Sequence, residues 1–443
     1  MPDLKQYRIA AASAAELVRC IEAGVADGEL APGEKLPSVR RLAGDVGLSP
    51  VTVAAALSEL RRRGVVVTEP RRGTRIGLGP PIGSLRAPLP VPAGARDFSR
   101  GNPDPALLPD IAAALARLRA PGRLYGEVPI LPELERLARE RLAADGIPAG
   151  SVCVVSGALD GIERVLQAHL RPGDRVAVES PGYAALYDLL RALGLALEPV
   201  ALDERGMLPD ALAAALARGA AAVVLTPRGQ NPTGAALDAG RAAELRGVLG
   251  EHPRTLLVED DHLGEVAGCE LHSAVEGRSR WAATRSVAKA LGPDIRLAVL
   301  AGDEHTLARV QGRQQCGPGW VSHILQSLVV ELWSERGHAA LLAAASAAYA
   351  ARREGLLGRL AERGVGAHGR SGLNVWVPVA DEAGVMGALL ARGWVVAPGA
   401  PYRLGGEPTA VRVTIATLDE GAAERLAGDL AEVTAPRVWA RSG

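Results

Sequence analysis

Lysine is nearly absent from this chain. It occurs only at Lys5, Lys35 and Lys289, so 47 of the 50 basic residues are arginine. A guanidinium stays protonated near neutral pH and is a poor amine nucleophile, so any Schiff-base chemistry has three candidate amines. Cysteine is scarce as well: Cys20, Cys153, Cys269 and Cys316 lie far apart, with no CxxC pair and no Cys/His cluster. Neither a zinc site nor a disulfide framework is supported, and a reducing compartment fits best. Long apolar runs are missing. No stretch of about 18 uncharged apolar residues occurs, and Met1-Pro2-Asp3-Leu4-Lys5 has no signal character, so a cytoplasmic protein without membrane attachment is expected. Net charge is missing too, since 50 Lys+Arg balance 50 Asp+Glu. With 48% hydrophobic content over 443 residues, that balance excludes disorder and predicts a large core. The length allows roughly two to four units.

Composition shifts near residue 77. Residues 1–76 carry 12 Lys+Arg against 9 Asp+Glu, net +3, leaving 38 against 41 for the remainder. The excess gathers at Arg61, Arg62, Arg63, Arg71, Arg72 and Arg75. Next comes Gly77-Leu78-Gly79-Pro80-Pro81, continuing through Pro88, Pro90 and Pro92 to Gly94, a run that holds neither a helix nor a central strand and reads as a semi-rigid spacer. The sequence therefore divides into an amino-terminal module, 1–76, a Pro/Gly-rich linker, 77–96, and a large remainder, 97–443.

In the module, Ala14 to Ala23 has helical periodicity and Ser38 is an N-cap for a helix reaching about Val46. Gly47-Leu48-Ser49 makes a tight turn and Pro50 suits the first turn of a helix from Val51 to Arg63. Helix, short Gly-containing turn and helix is the helix-turn-helix arrangement. Val65 to Thr68 and Arg71 to Ile76 read as a β-hairpin with a basic tip, a wing suited to a phosphate backbone. From Asp97, short apolar runs alternate with Ala/Leu-rich helical patterns: Val152 to Val155, Arg175 to Val178, Ala221 to Leu225, Thr255 to Val258 and Leu297 to Ala301. That alternation predicts an α/β domain with a mainly parallel sheet and ligands at the strand carboxyl ends. From about 345 the pattern changes to a small α+β lobe with strands at Asn374 to Val377 and Val411 to Ile415.

The amino-terminal pattern resembles the GntR-type winged helix at Leu36, Pro37, Ser38, Arg40, Leu42, Ala43, Gly47, Ser49, Thr52, Val53, Leu57 and Gly64. The resemblance implies base contacts by Ser49 and Thr52 and phosphate contacts by Arg40, Arg61 and Arg72, with Ser38 and Thr74 in the same interface. Pro50, Ala54 and Ala55 stand where that family often has polar side chains, so a larger share of shape readout is expected.

The remainder carries Ser156-Gly157-Ala158-Leu159, Ser180-Pro181-Gly182-Tyr183, Asn231-Pro232-Thr233-Gly234, Asp260-Asp261-His262, Ser286-Val287-Ala288-Lys289 and Arg296. Together these supply what a pyridoxal phosphate (PLP) site needs: an amine, a carboxylate for the ring nitrogen, donors for the phenolic oxygen and a phosphate cup. From Asp97 onward the chain resembles fold-type-I, aspartate-aminotransferase-like enzymes, and with the winged helix it resembles the MocR family of PLP-binding regulators. Gly101-Asn102-Pro103-Asp104-Pro105, Tyr125-Gly126 and Gln230 to Gly234 are similar to its PtsJ-like branch. The resemblance implies that Lys289 holds the cofactor aldehyde, Asp260 pairs with the ring nitrogen and Asn231 donates to the phenolic oxygen. Tyr183 would lie over the ring. Ala158, Leu159, Ser286 and Arg296 would hold the phosphate, Tyr125 would reach it from the other subunit of a homodimer, and Arg412 would grip an amino-acid carboxylate. His262 replaces the usual tyrosine and is expected to titrate near neutral pH.

Each residue also has a plainer reading: Asp260 as a strand-end ion-pair partner, Asn231 as turn chemistry, Tyr183 and Tyr125 as packing aromatics, Arg412 as a structural ion pair. Three functions follow. The favoured one is a transcription regulator sensing PLP or a PLP–amino acid adduct, controlling vitamin B6 or amino-acid genes, with any transaminase activity secondary. The others are a working aminotransferase with an appended DNA-binding module, and a PLP-free dimerisation scaffold.

Overall fold

A computed structural model describes residues 11–62, 64–69, 73–77, 89–119 and 122–435. The helices of the amino-terminal module are Ala14–Ala26 (α1), Val39–Val46 (α2) and Pro50–Arg62 (α3), and the strands Val66–Glu69 (β1) and Gly73–Ile76 (β2) pair antiparallel. Local chemistry sets these limits. Ser13 and Ser38 hydroxyls accept the N–H groups of Glu16 at 3.2 Å and Arg41 at 3.4 Å, each satisfying one orphan donor of a helix start. Gly47, at φ +71°, ends α2 in the left-handed region that a Cβ disfavours. Leu17, Ile21, Leu42, Val53, Leu57, Leu60, Val66 and Ile76 close a core of their own. A bridge between Lys35 and Arg75 adds a third strand position to the wing. Arg63, the hairpin tip with Arg71 and Arg72, Lys5 and most of the Pro/Gly-rich spacer lie outside the described residues.

The remaining strands are Arg96–Asp97 (β3), Val152–Val155 (β4), Arg175–Ser180 (β5), Ala196–Asp203 (β6), Gly206–Met207 (β7), Ala220–Leu225 (β8), Leu256–Asp261 (β9), Trp281–Ser286 (β10), Ala298–Gly302 (β11), Asn374–Pro378 (β12), Trp394–Val395 (β13), Ala397–Pro398 (β14) and Ala410–Thr414 (β15). The large sheet runs β4-β11-β10-β9-β8-β5-β6-β7. All five expected apolar runs are strands in it. Between β8 and β10 the pairing is parallel, whereas β11 is antiparallel to both β10 and β4. Two reversals make β4 parallel to β10, so β4, β8, β9 and β10 end on one edge. Helices cover the sheet, among them Pro132–Ala144, Ala158–His169, Ala239–Gly250 and Glu304–Gln315. A smaller sheet, β12-β15-β14, packs with the helices His338–Glu362 and Glu420–Thr434 as the predicted α+β lobe.

Candidate functional site

Register explains how two adjacent acids come to differ. Thr284 of β10 lies beside Asp260 of β9, and Arg285 beside Asp261. Successive strand side chains alternate faces, so Asp260 and Asp261 point to opposite sides of the sheet. Asp260 receives the Thr284 hydroxyl at 3.2 Å, and burial pushes its carboxyl up to about 7. Asp261 accepts paired bonds from Arg228, both at 2.9 Å, and a bond from Arg285 at 2.9 Å. Although burial opposes it, those two guanidiniums hold Asp261 down to about 2. Half-buried Asp145 completes a quartet, 3.0 Å from Arg228 and 2.7 Å from Arg285. None of these four partnerships was read from the sequence, because each joins residues distant along the chain.

On the Asp260 side, the strand carboxyl ends open into a cavity of about 400 Å³. Lys289, Asp260, Asn231, His262, Tyr183, Ala158, Leu159, Ser286, Arg296 and Arg412 all line it, together with Gly101, Asn102, Leu263, Leu373, Asn374 and Tyr402. Of the ten resemblance-implied cofactor residues only Tyr125 is elsewhere. Its ring is 93% exposed and meets Trp320 edge-on at 5.6 Å.

Lys289 donates to the Gly101 carbonyl, and burial and the nearby Arg412 guanidinium pull its ammonium down to about 8. His262 is a correction. Burial, reinforced by the Lys289 charge, pushes its imidazolium down to about 4, so it is neutral across the range in which it was expected to titrate. Arg412 is buried, donates to Asn231 Oδ1 at 2.9 Å and to the Ser99 carbonyl, and lies 5.0 Å over the Tyr402 ring. Because arginine only donates, Asn231 must turn its oxygen toward Arg412, which leaves its amide N–H groups as donors. Arg412 Nε is buried without a hydrogen-bond partner, and no carboxylate pairs with this cation among the described residues. The plain ion-pair reading of Arg412 therefore has no support here.

At the other end of the cavity, Ala158 and Leu159 begin the helix Ala158–His169, where backbone N–H groups lack intrahelical acceptors. Arg296 donates to the Ser156 carbonyl at 3.1 Å. A Cβ at Gly157, whose φ is +109°, would come within 2.9 Å of Arg296 Nη2. Only glycine leaves that guanidinium its place. Ser286 Oγ accepts the Ala288 N–H at 3.2 Å.

In the amino-terminal module, Ser38, Arg40, Ser49 and Arg61 are exposed, and Thr52 and Thr74 are half-buried. Ser49 Oγ accepts the Thr52 N–H at 3.1 Å and lies 2.8 Å from Thr52 Oγ1, so Ser49 caps α3 and the two hydroxyls bond each other. Arg75 donates to the Gly33 carbonyl at 3.1 Å and so braces the wing from within. Arg72 lies outside the described residues.

The family of bacterial regulatory proteins called gntR matches residues 13–76, and aminotransferase class I and II matches residues 95–430. The vitamin B6 salvage pathway transcriptional repressor PtsJ of Salmonella typhimurium is 37% identical over 421 residues, 94% of this chain and 97% of that protein. The chain belongs to the MocR family of GntR-type regulators. Such chains join a DNA-binding winged helix to an aminotransferase fold of the kind that binds PLP. The pyridoxine biosynthesis regulator PdxR of Corynebacterium glutamicum is 32% identical over 267 residues, 57% of this chain and 56% of that protein. Among solved structures, the α-aminoadipate aminotransferase LysN of Thermus thermophilus, complexed with N-(5'-phosphopyridoxyl)-L-leucine, is 25% identical with a TM-score of 0.69, over 77% of this chain and 92% of that chain. A kynurenine aminotransferase of Pyrococcus horikoshii shares the fold, with a TM-score of 0.72 at 21% identity over 79% of this chain and 92% of that one.

Proposed function

We propose that this chain is a cytoplasmic, homodimeric transcription regulator whose aminotransferase-like domain binds PLP and whose 1–76 module binds operator DNA. The observation that carries the reading is the convergence, in one cavity, of one of only three lysines with Asp260, Asn231, Arg296 and a helix start. The residues fit the cofactor. Lys289 supplies the amine. Asp260, displaced upward by burial, would hold its charge against a protonated ring nitrogen. Asn231 directs its amide N–H groups inward because Arg412 holds its oxygen. Arg296, Ser286 and the N–H groups of Ala158 and Leu159 form the phosphate end, with Tyr183 beside the ring and Tyr125 contributed by the second subunit. When bound, PLP supplies an electrophilic aldehyde and an electron-withdrawing ring. Arg412, a buried cation lacking a carboxylate, is placed for an amino-acid effector. Similarity to PtsJ and PdxR supports genes of vitamin B6 metabolism as the targets. A ligand that favours one arrangement of the domains shifts their populations and hence DNA occupancy.

Absorbance tests the site. The purified protein with PLP is expected to show a band near the visible–ultraviolet border that borohydride removes only when Lys289 is present. An unchanged spectrum in Lys289→Ala overturns the assignment. Promoter retention that is identical with and without PLP removes the sensing role.

A further inference from the structure

The amino-terminal module presents an unusual leading edge. Along α3, Val53, Ala56, Leu57 and Leu60 face the core, and Val51, Ala54, Ala55 and Ser58 face solvent. Val51, in the first turn, is 79% exposed. A helix-turn-helix inserts this turn of its second helix into the major groove. The side chains there carry no amide, carboxylate or guanidinium, and the hydroxyls of Ser49 and Thr52 are engaged with each other and with the helix start. Lys35, Arg40, Arg41 and Arg61 of the same module are exposed and supply cations of the kind that neutralise phosphates.

The major groove displays one apolar group at its base edges, the 5-methyl of thymine. We infer that Val51 is a specificity-determining residue that reads thymine methyls in the operator half-site, with Ala54 and Ala55 short enough to let the helix approach. Removing that side chain from water against a methyl is favourable, whereas placing it against cytosine N4–H₂ or guanine O6 strands a polar group. The inference rests on the proposed DNA-binding role of the module and adds the chemistry by which it discriminates.

Deoxyuridine provides the test, because it lacks only the methyl and keeps every hydrogen-bonding group of thymine. Duplexes retained by the full-length protein from a random pool are resynthesised with thymines replaced one at a time, and affinity is read by fluorescence anisotropy. One or two positions per half-site are expected to lose about fourfold for each buried methyl. Val51→Ala weakens binding to the thymine duplex and becomes indifferent to the same replacements, while Val51→Thr, of nearly equal size, keeps the fold and reduces the sensitivity. Selective binding that survives replacement of every half-site thymine overturns the inference and leaves the regulator reading intact, as does a selected half-site without thymine. Retention no better than random duplex removes the DNA-binding reading itself.

Discussion

Replacing Asp260 by Asn separates what the carboxyl does for the cofactor from what it costs the fold. In the cofactor-free protein, burial pushes the acid from 3.8 up to about 7 against one hydrogen bond from Thr284. Between those values the folded chain keeps a proton that the unfolded chain releases. The folded state thus binds more protons, so stability falls as pH rises through this window and stays lower above it. A displacement of about three pH units corresponds to at most about 4 kcal/mol at pH 8, and to nothing below the unfolded value. Asp260→Asn has nearly the same volume and no charge to desolvate. In urea denaturation without PLP it is expected to be more stable than wild type at pH 8, by about 1–4 kcal/mol, with the difference shrinking toward pH 5. Saturating PLP is expected to stabilise wild type more than the variant, since ligand that binds only the folded state adds its own binding free energy. A variant less stable than wild type at pH 8 without PLP, or an advantage that grows on acidification, refutes the reasoning.

Gly157→Ala places a Cβ within 2.9 Å of Arg296 Nη2 at a backbone φ of +109°. It is expected to displace the guanidinium and weaken PLP binding by at least about tenfold, read by titration of the absorbance band, while circular dichroism shows a folded chain. Arg228→Ala removes the paired bonds to Asp261 and leaves that acid buried with Arg285 alone. A loss of about 3–5 kcal/mol in the urea midpoint is expected, with only partial rescue by Arg228→Lys because a single ammonium cannot reproduce two parallel bonds.

Much of this organisation was legible in the residue order. The runs Val152 to Val155, Arg175 to Val178, Ala221 to Leu225, Thr255 to Val258 and Leu297 to Ala301 are apolar because both faces of a sheet cover them, and all are strands. The central strand β10 escaped the same reading. Its Trp-Ala-Ala-Thr-Arg-Ser carries Thr284 and Arg285 in full burial, which is affordable only because Asp260 and Asp261 stand beside them in register. Such compensation is tertiary and leaves no periodic trace. His262 was misjudged for a related reason: its titration depends on the Lys289 charge and on burial, neither of which sequence position reveals. In the winged helix, Ser49 and Thr52 were legible as hydroxyls but their mutual bond was not, since it follows from the geometry of the turn.

The scarcity of lysine acquires a physical meaning in the cavity. Lys289 and Arg412 face the same space, and each disfavours the other's charge. Asp260, the acid lining that cavity, is held toward its neutral form by burial, while Asp261 pairs with Arg228 and Arg285 on the opposite face of the sheet. The cavity lining is therefore rich in cationic groups, and Arg412 has no carboxylate partner among the described residues. A phosphate and a carboxylate, with a protonated ring nitrogen between them, would relieve the Arg296 end, the Arg412 end and Asp260 together. Each relief enlarges the difference in free energy between liganded and free protein, and that difference is the upper limit on any population shift a ligand can drive. Binding of this kind becomes a signal only if one arrangement of the domains satisfies these groups better than another, because a ligand bound equally well by both shifts neither.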